Sequence, residues 1–146
     1  MTGRRRMFGL SAVLLTIFCL SQTPCLAAGR VVEGNVGREG QETDVKKLVA
    51  KGQYTLLDFW SPYCGPCLQI APILVKMADK KRDLVVVKLN INRPDVQGID
   101  WKSPLAQQYK LRSIPHLVIF DKKGKQMAAG RPAFDLFVKW STQAGL

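Results

Sequence analysis

The chain is 146 residues long, enough for one domain with its own core and too short for several. Its net charge is +11, yet the lysines come as short scattered pairs: Lys46-Lys47, Lys80-Lys81 and Lys122-Lys123. That pattern reads as a solvated face, open to acidic partners or an anionic membrane, and not as a nucleic-acid surface.

The chain opens on a leader. Arg4-Arg5-Arg6 is a basic start, Met7 to Leu20 is apolar, and small residues follow at Ala27 and Ala28. This predicts a secretory signal peptide over residues 1–27, cleaved near Ala27 or Ala28. The apolar run is short for a membrane span, which leaves a retained N-terminal anchor as the alternative. Arg5-Arg6-Met7-Phe8 resembles a twin-arginine signal, but the strongly apolar stretch favours ordinary secretion. Cys25 follows Pro24, a poor setting for lipid attachment. The expected location is exported, periplasmic or otherwise extracytoplasmic. Cleavage would lower the net charge to +8 and remove Cys19 and Cys25, so that Cys64 and Cys67 alone remain. An oxidising compartment makes such an isolated pair functional.

Residues 28–40 are glycine-rich and predict a flexible lead-in with a short strand at Val31-Val32. Thr43 is placed to cap a first helix with Val45, Leu48 and Val49 on one face, ended by Gly52. Gln53 to Trp60 predicts a buried strand. A helix follows from about Cys64 to Lys81, with Ile70, Ile73, Leu74 and Met77 at helical spacing. Pro72 removes one of its hydrogen bonds and predicts a kink. Leu84 to Ile91 is apolar throughout, as in a strand covered on both faces. A polar loop, Asn92 to Asp100, leads to Ser103-Pro104, a helix start, and that helix ends near Tyr109. Leu117 to Phe120 and Lys125 to Ala129 form a hairpin about Asp121-Lys122-Lys123-Gly124. Phe134, Phe137, Val138 and Trp140 belong to a last helix. This order predicts an α/β or α+β sandwich built on a mixed sheet.

The chemistry centres on Cys64-Gly65-Pro66-Cys67, where a strand hands over to a helix. Unpaired helix N–H groups and the helix dipole stabilise a thiolate there. A zinc site wants four ligands, and the cleaved chain would offer only this pair and His116, so no metal is expected. A purely structural bridge over two intervening residues constrains little of the unfolded chain. Reversible disulfide chemistry is the better reading. Asp58 is a charge in an otherwise apolar strand, where burial raises a carboxyl pKa. Lys88 is placed to pair with it or to reach solvent. His116 reads as an ordinary half-buried strand residue, with a local electrostatic effect as the alternative, and Trp101 as a cover of the sheet end or a partner contact.

Asp58-Phe59-Trp60-Ser61-Pro62-Tyr63-Cys64-Gly65-Pro66-Cys67, followed by Ala71-Pro72, resembles the active-site segment of the thioredoxin family. Lys88-Leu89-Asn90 resembles the family's central strand, Ile114-Pro115 its signature proline, and Gly130 the glycine after its last strand. The resemblance covers residues 41–146 and implies the thioredoxin fold, a central mixed sheet flanked by helices. It departs from the cytosolic pattern at Tyr63, where tryptophan is usual, at Pro62 and Leu68, and in a longer loop over 92–103 with Trp101.

The resemblance implies roles. Cys64, the more exposed sulfur, is the nucleophile, and Cys67 resolves the mixed disulfide. Asp58 accepts the Cys67 proton through water, and Lys88 tunes Asp58. Ile114 and cis-Pro115 bind an extended substrate strand. Trp60 and Tyr63 shield the site, although Trp60 reads equally well as core. Gly65 and Pro66 set the reduction potential, and Gly-Pro resembles the reducing members. The expected function is an exported protein-disulfide reductase, acting as a monomer on disulfide-bonded proteins. It would draw on a membrane or soluble thiol donor and need no cofactor beyond its own cysteines. A disulfide oxidase or isomerase, and a binding or assembly module indifferent to redox state, are the alternatives.

Overall fold

The computed structural model describes residues 29–146. The leader expected over residues 1–27 lies outside them, with Cys19 and Cys25. The elements in chain order are β1 (Arg30–Glu33), a 3-10 turn (Val45–Leu48), β2 (Tyr54–Trp60), α1 (Gly65–Lys80), β3 (Leu84–Asn90), α2 (Pro104–Gln108), β4 (His116–Phe120), β5 (Gln126–Ala129) and α3 (Arg131–Gln143). One sheet holds all five strands in the order β1-β3-β2-β4-β5. β1, β3 and β2 run parallel, β4 runs antiparallel to β2, and β5 runs antiparallel to β4.

Alternation along β2 divides the core into two layers. Leu57 and Phe59 face Val85, Val87, Leu89 and the helix residues Leu105 and Ala106. Leu56 faces the other way, with Val86, Leu117 and Ile119, against Leu74, Met77 and Ala78 of α1 and Phe137 of α3. β3, covered on both faces, is continuously apolar up to Lys88 for that reason.

The short strand expected at Val31-Val32 is present as β1: it pairs in register with β3 from Arg30 opposite Val85 to Glu33 opposite Lys88, and Val31 and Val32 pack on the two core layers. One expectation is corrected. The helix expected after Thr43 is a single 3-10 turn capped by Asp44, whose carboxylate accepts from Lys46 N at 3.1 Å. Thr43 instead hands its carbonyl to the Tyr109 hydroxyl at 2.8 Å. The turn goes no further because the Ala50 N–H donates to the Thr55 hydroxyl at 2.9 Å instead of to a helix carbonyl. α1 runs unbroken through Pro72.

Candidate active site

α1 begins where β2 ends. Cys64 is its N-cap, extended at φ −98° and ψ 98°, and Pro66 follows in the first turn, where no N–H is needed. The Cys64 sulfur accepts from the Cys67 N–H at 3.2 Å, so it lies at the positive end of the helix. Cys64 and Cys67 are joined as a disulfide. The two sulfur residues differ little in cover, at 3% and 1% exposed, so Cys64 is the more exposed by only a small margin.

The Ile114-Pro115 peptide bond is cis. The Ile114 carbonyl oxygen lies 3.7 Å from Cys64 Sγ, which brings the two segments, fifty residues apart, to one place. His116 follows on β4, half-buried, its ring edge-on to Phe59 at 5.9 Å. Burial holds its imidazole below the usual pKa. Gly130 sits beside it at φ +61°, and a Cβ there would come within 3.5 Å of the His116 ring.

Asp58 is 1% exposed on β2. Neither of its carboxylate oxygens has a hydrogen-bond partner among the described residues, and neither does Trp60 Nε1. Burial pushes the Asp58 carboxyl up to about 7, with the Lys88 charge pulling it down and Glu33 pushing it up again. Cys67, Leu74 and Met77 share the inner face of α1, and Leu74 and Met77 pack on the sheet layer of Leu56. Asp58, two residues along from Leu56, lies on that same sheet face.

Lys88 sits directly across from Asp58 in the β2–β3 register. Lys88 is open to two readings, pairing with Asp58 or reaching toward solvent, and its ammonium makes no hydrogen bond to Asp58. It forms an ion pair with Glu33 Oε1 at 2.9 Å and stands 4.0 Å from the centre of the Trp60 ring. Glu33 is across from Lys88 on β1, so the ammonium reaches outward to the partly exposed carboxylate at the sheet edge. Trp60 is half-buried beneath that cation, a lining residue more than plain core.

Tyr63 is 45% exposed, and its hydroxyl donates to Gln97 Oε1 at 3.1 Å. The 92–103 loop therefore reaches the active-site turn. Trp101 is on the surface of that loop. Tyr109 closes the other layer, its ring 5.0 Å from Phe59. No group of three or more His, Cys, Asp or Glu able to hold a metal occurs among the described residues.

The thioredoxin family model matches residues 38–137. The chain belongs to the thioredoxin family. It is 37% identical over 101 residues to thioredoxin 1 of Nostoc, a match covering 68% of this chain and 78% of that protein. It is 42% identical over 91 residues to the thioredoxin of Acidithiobacillus ferridurans, covering 62% of this chain and 73% of that one. The fold is similar to the short form of spinach chloroplast thioredoxin f, with a TM-score of 0.53 at 24% identity, covering 82% of this chain and 97% of the other. This thioredoxin is a protein-disulfide reductase by family, with Cys64–Cys67 as its redox disulfide.

The thioredoxin site holds two features that the sequence reading did not single out. One is Glu33, the acid of an otherwise apolar and basic strand, Arg30-Val31-Val32-Glu33. The other is the Arg93–Asp100 ion pair at 2.7 Å within the 92–103 loop. Glu33 was visible as a lone acid beside two valines, but its partner depends on a register that no local pattern shows.

Proposed function

We propose that this thioredoxin reduces protein disulfides outside the cytosol, with Cys64 attacking and Cys67 resolving. The observation that carries the reading is the Cys64–Cys67 disulfide at the α1 N-terminus, with Cys64 Sγ 3.7 Å from the carbonyl before cis-Pro115 and the buried Asp58 on the sheet face that α1 covers. In the dithiol form, the Cys64 thiolate attacks one sulfur of a substrate disulfide. An S–S bond forms to Cys64, and one substrate thiolate leaves. Asp58 takes the Cys67 proton, and the Cys67 thiolate attacks Cys64 Sγ. The internal disulfide re-forms and the second substrate thiolate leaves, taking up a proton from Asp58 or solvent. Two electrons pass to the substrate, and a thiol donor, membrane-bound or soluble, returns them. Ile114 offers its backbone to an extended substrate strand, and Tyr63 stands exposed at the rim. Gly65 and Pro66 add no charge beside the sulfurs, and Trp60 and Lys88 line the approach to Asp58.

Export rests on the leader: Arg4-Arg5-Arg6, then Met7 to Leu20, then Ala27-Ala28. The N-terminal residue of the protein recovered from cells, with fractionation, tests it. Recovery of an uncleaved cytosolic chain would overturn it. Direction is tested by equilibrating residues 28–146 in a dithiol buffer. The expected potential is near the general thioredoxin value, about −270 mV. A value of about −120 to −180 mV would instead make the protein an oxidant or isomerase.

A further inference from the structure

Three charged residues lie in one row across three strands. Asp58 on β2 is opposite Lys88 on β3, and Lys88 is opposite Glu33 on β1. Residues in register across parallel strands point to the same face, so the row lies on the sheet face that α1 covers. The row is open at one end and closed at the other. Glu33 is about half exposed, Lys88 is largely covered, and Asp58 is buried.

The Lys88 ammonium has three N–H donors and could bridge both carboxylates. Here it serves the solvated one: Nζ is 2.9 Å from Glu33 and 4.0 Å from the Trp60 ring centre, with no hydrogen bond to either Asp58 oxygen. The Glu33 contact, a charge-assisted hydrogen bond, draws the ammonium toward the sheet edge, and the Trp60 contact, a cation–π contact, draws it along the strands past Asp58. A carboxylate left without its counter-charge holds its proton more tightly.

We propose that Glu33 is a positioning residue of the reductase: it holds the Lys88 ammonium at the sheet edge and so keeps Asp58 unpaired and able to exchange the Cys67 proton. Around Asp58 on this face the charged and titratable groups among the described residues are Lys88 from β3, Glu33 from β1 and Cys67 from α1; Tyr54, with Lys81 over its ring, lies at the far end of β2. The β4 residue opposite Asp58 is Leu117, which carries no charge, and His116 points to the other layer, against Phe59. The raised Asp58 carboxyl and the upward push that Glu33 gives it agree with this arrangement.

The inference rests on the reading of Asp58 as proton acceptor, and its test is kept separate from that reading. The oxidised protein, residues 28–146, is titrated by carboxyl-carbon NMR, with the Asp58 resonance assigned by its loss in Asp58→Asn. No turnover is needed. Glu33→Gln keeps shape and removes charge at an exposed edge position. It is expected to lower the Asp58 midpoint by about one pH unit, as Lys88 turns inward. In a Lys88→Met background, where nothing remains to be held, the same change is expected to move the midpoint by less than half as much. Glu33→Ala repeats the comparison as a second variant. An unmoved or raised midpoint overturns the inference. So does an equal shift with and without Lys88, because Glu33 would then act by its own charge alone. Failure here leaves the reductase reading intact, whereas normal disulfide reduction by Asp58→Asn would sink the proton role itself.

Discussion

Asp100 and Asp58 lie almost equally deep, at 3% and 1% exposed, in opposite surroundings. The Asp100 carboxylate accepts from Arg93 Nε at 2.7 Å and Nη2 at 3.1 Å, and from the Lys102 N–H at 3.2 Å. Those bonds hold its carboxyl below the usual range, the Arg93 guanidinium contributing most. Around Asp58 the protein supplies no hydrogen bond, and burial drives the carboxyl up to about 7. The first acid ties a loop together. The second is a group kept at the edge of ionisation on the sheet face that α1 covers. A buried charge that stabilises is surrounded by donors, and a buried acid without them keeps its proton to higher pH, as the proposed proton acceptor would need, at a cost in stability.

The largest effect is expected at Asp58. Its folded pKa lies above the unfolded value of 3.8. The folded state therefore binds the extra proton between these values, and stability falls as pH rises from about 4 to 7. Asp58→Asn removes that penalty. At pH 8 the variant should be more stable by at most about 4 kcal/mol, and the gain should vanish below about pH 4. Urea unfolding at the two pH values measures it. Disulfide reduction by the same variant at pH 7 should slow at least about tenfold. Added stability with unchanged turnover would remove the functional half of the comparison.

Asp100→Asn should run the other way. The depressed carboxyl contributes stability that is present above the unfolded pKa and is lost as pH falls through the folded one. The substitution should cost about 1–3 kcal/mol at pH 7, because Arg93 loses its charged partner. Arg93 is a third exposed, which keeps the figure in the lower part of that range. The cost should shrink as pH is taken below the ordinary carboxylate range, where the carboxylate of the parent takes up its proton. An equal cost above and below that range would show that packing, and not charge, holds the loop.

The two acids also differ in how far the sequence revealed them. Asp58 stood out because a lone acid in an apolar strand beside Cys-Gly-Pro-Cys is a local signal. So were the Ser103 cap, the Gly124 turn and the strand ends, which the structure keeps within a residue or two. Within the Asp58–Lys88–Glu33 row, Lys88 beside Asp58 was readable as one of two alternatives, but its link to Glu33 was not. That link depends on the parallel register of β1 and β3, Glu33 opposite Lys88, and parallel pairing leaves no turn from which to count. Asp100 was hidden for another reason. The loop reads as polar and irregular, and nothing in Asn92 to Ser103 marks which acid turns inward to Arg93. The 3-10 turn at Val45–Leu48 was misread as a helix because helical spacing over four residues cannot distinguish one turn from three.

The smallest effect concerns the one hydrogen bond seen between the active-site turn and the loop, from the Tyr63 hydroxyl to Gln97. Both residues are largely outside the core, so Tyr63→Phe should change stability by no more than about 0.5–1 kcal/mol. The Asp58 titration and the reduction potential should not move, because the hydroxyl is bonded to the loop at Gln97 and to no member of the charged row. What should change is KM for a folded disulfide substrate, with kcat kept, since the loop loses its tie to the rim where a substrate strand lies. A parallel change in Gln97→Ala would assign that effect to the contact and not to the tyrosine ring. If Tyr63→Phe instead displaced the Asp58 midpoint, loop and row would be coupled through the Ser61–Cys64 turn, where the Cys64 N–H donates to the Ser61 carbonyl. The division between a structural acid in the loop and a chemical acid in the sheet would then fail at its nearest point of contact.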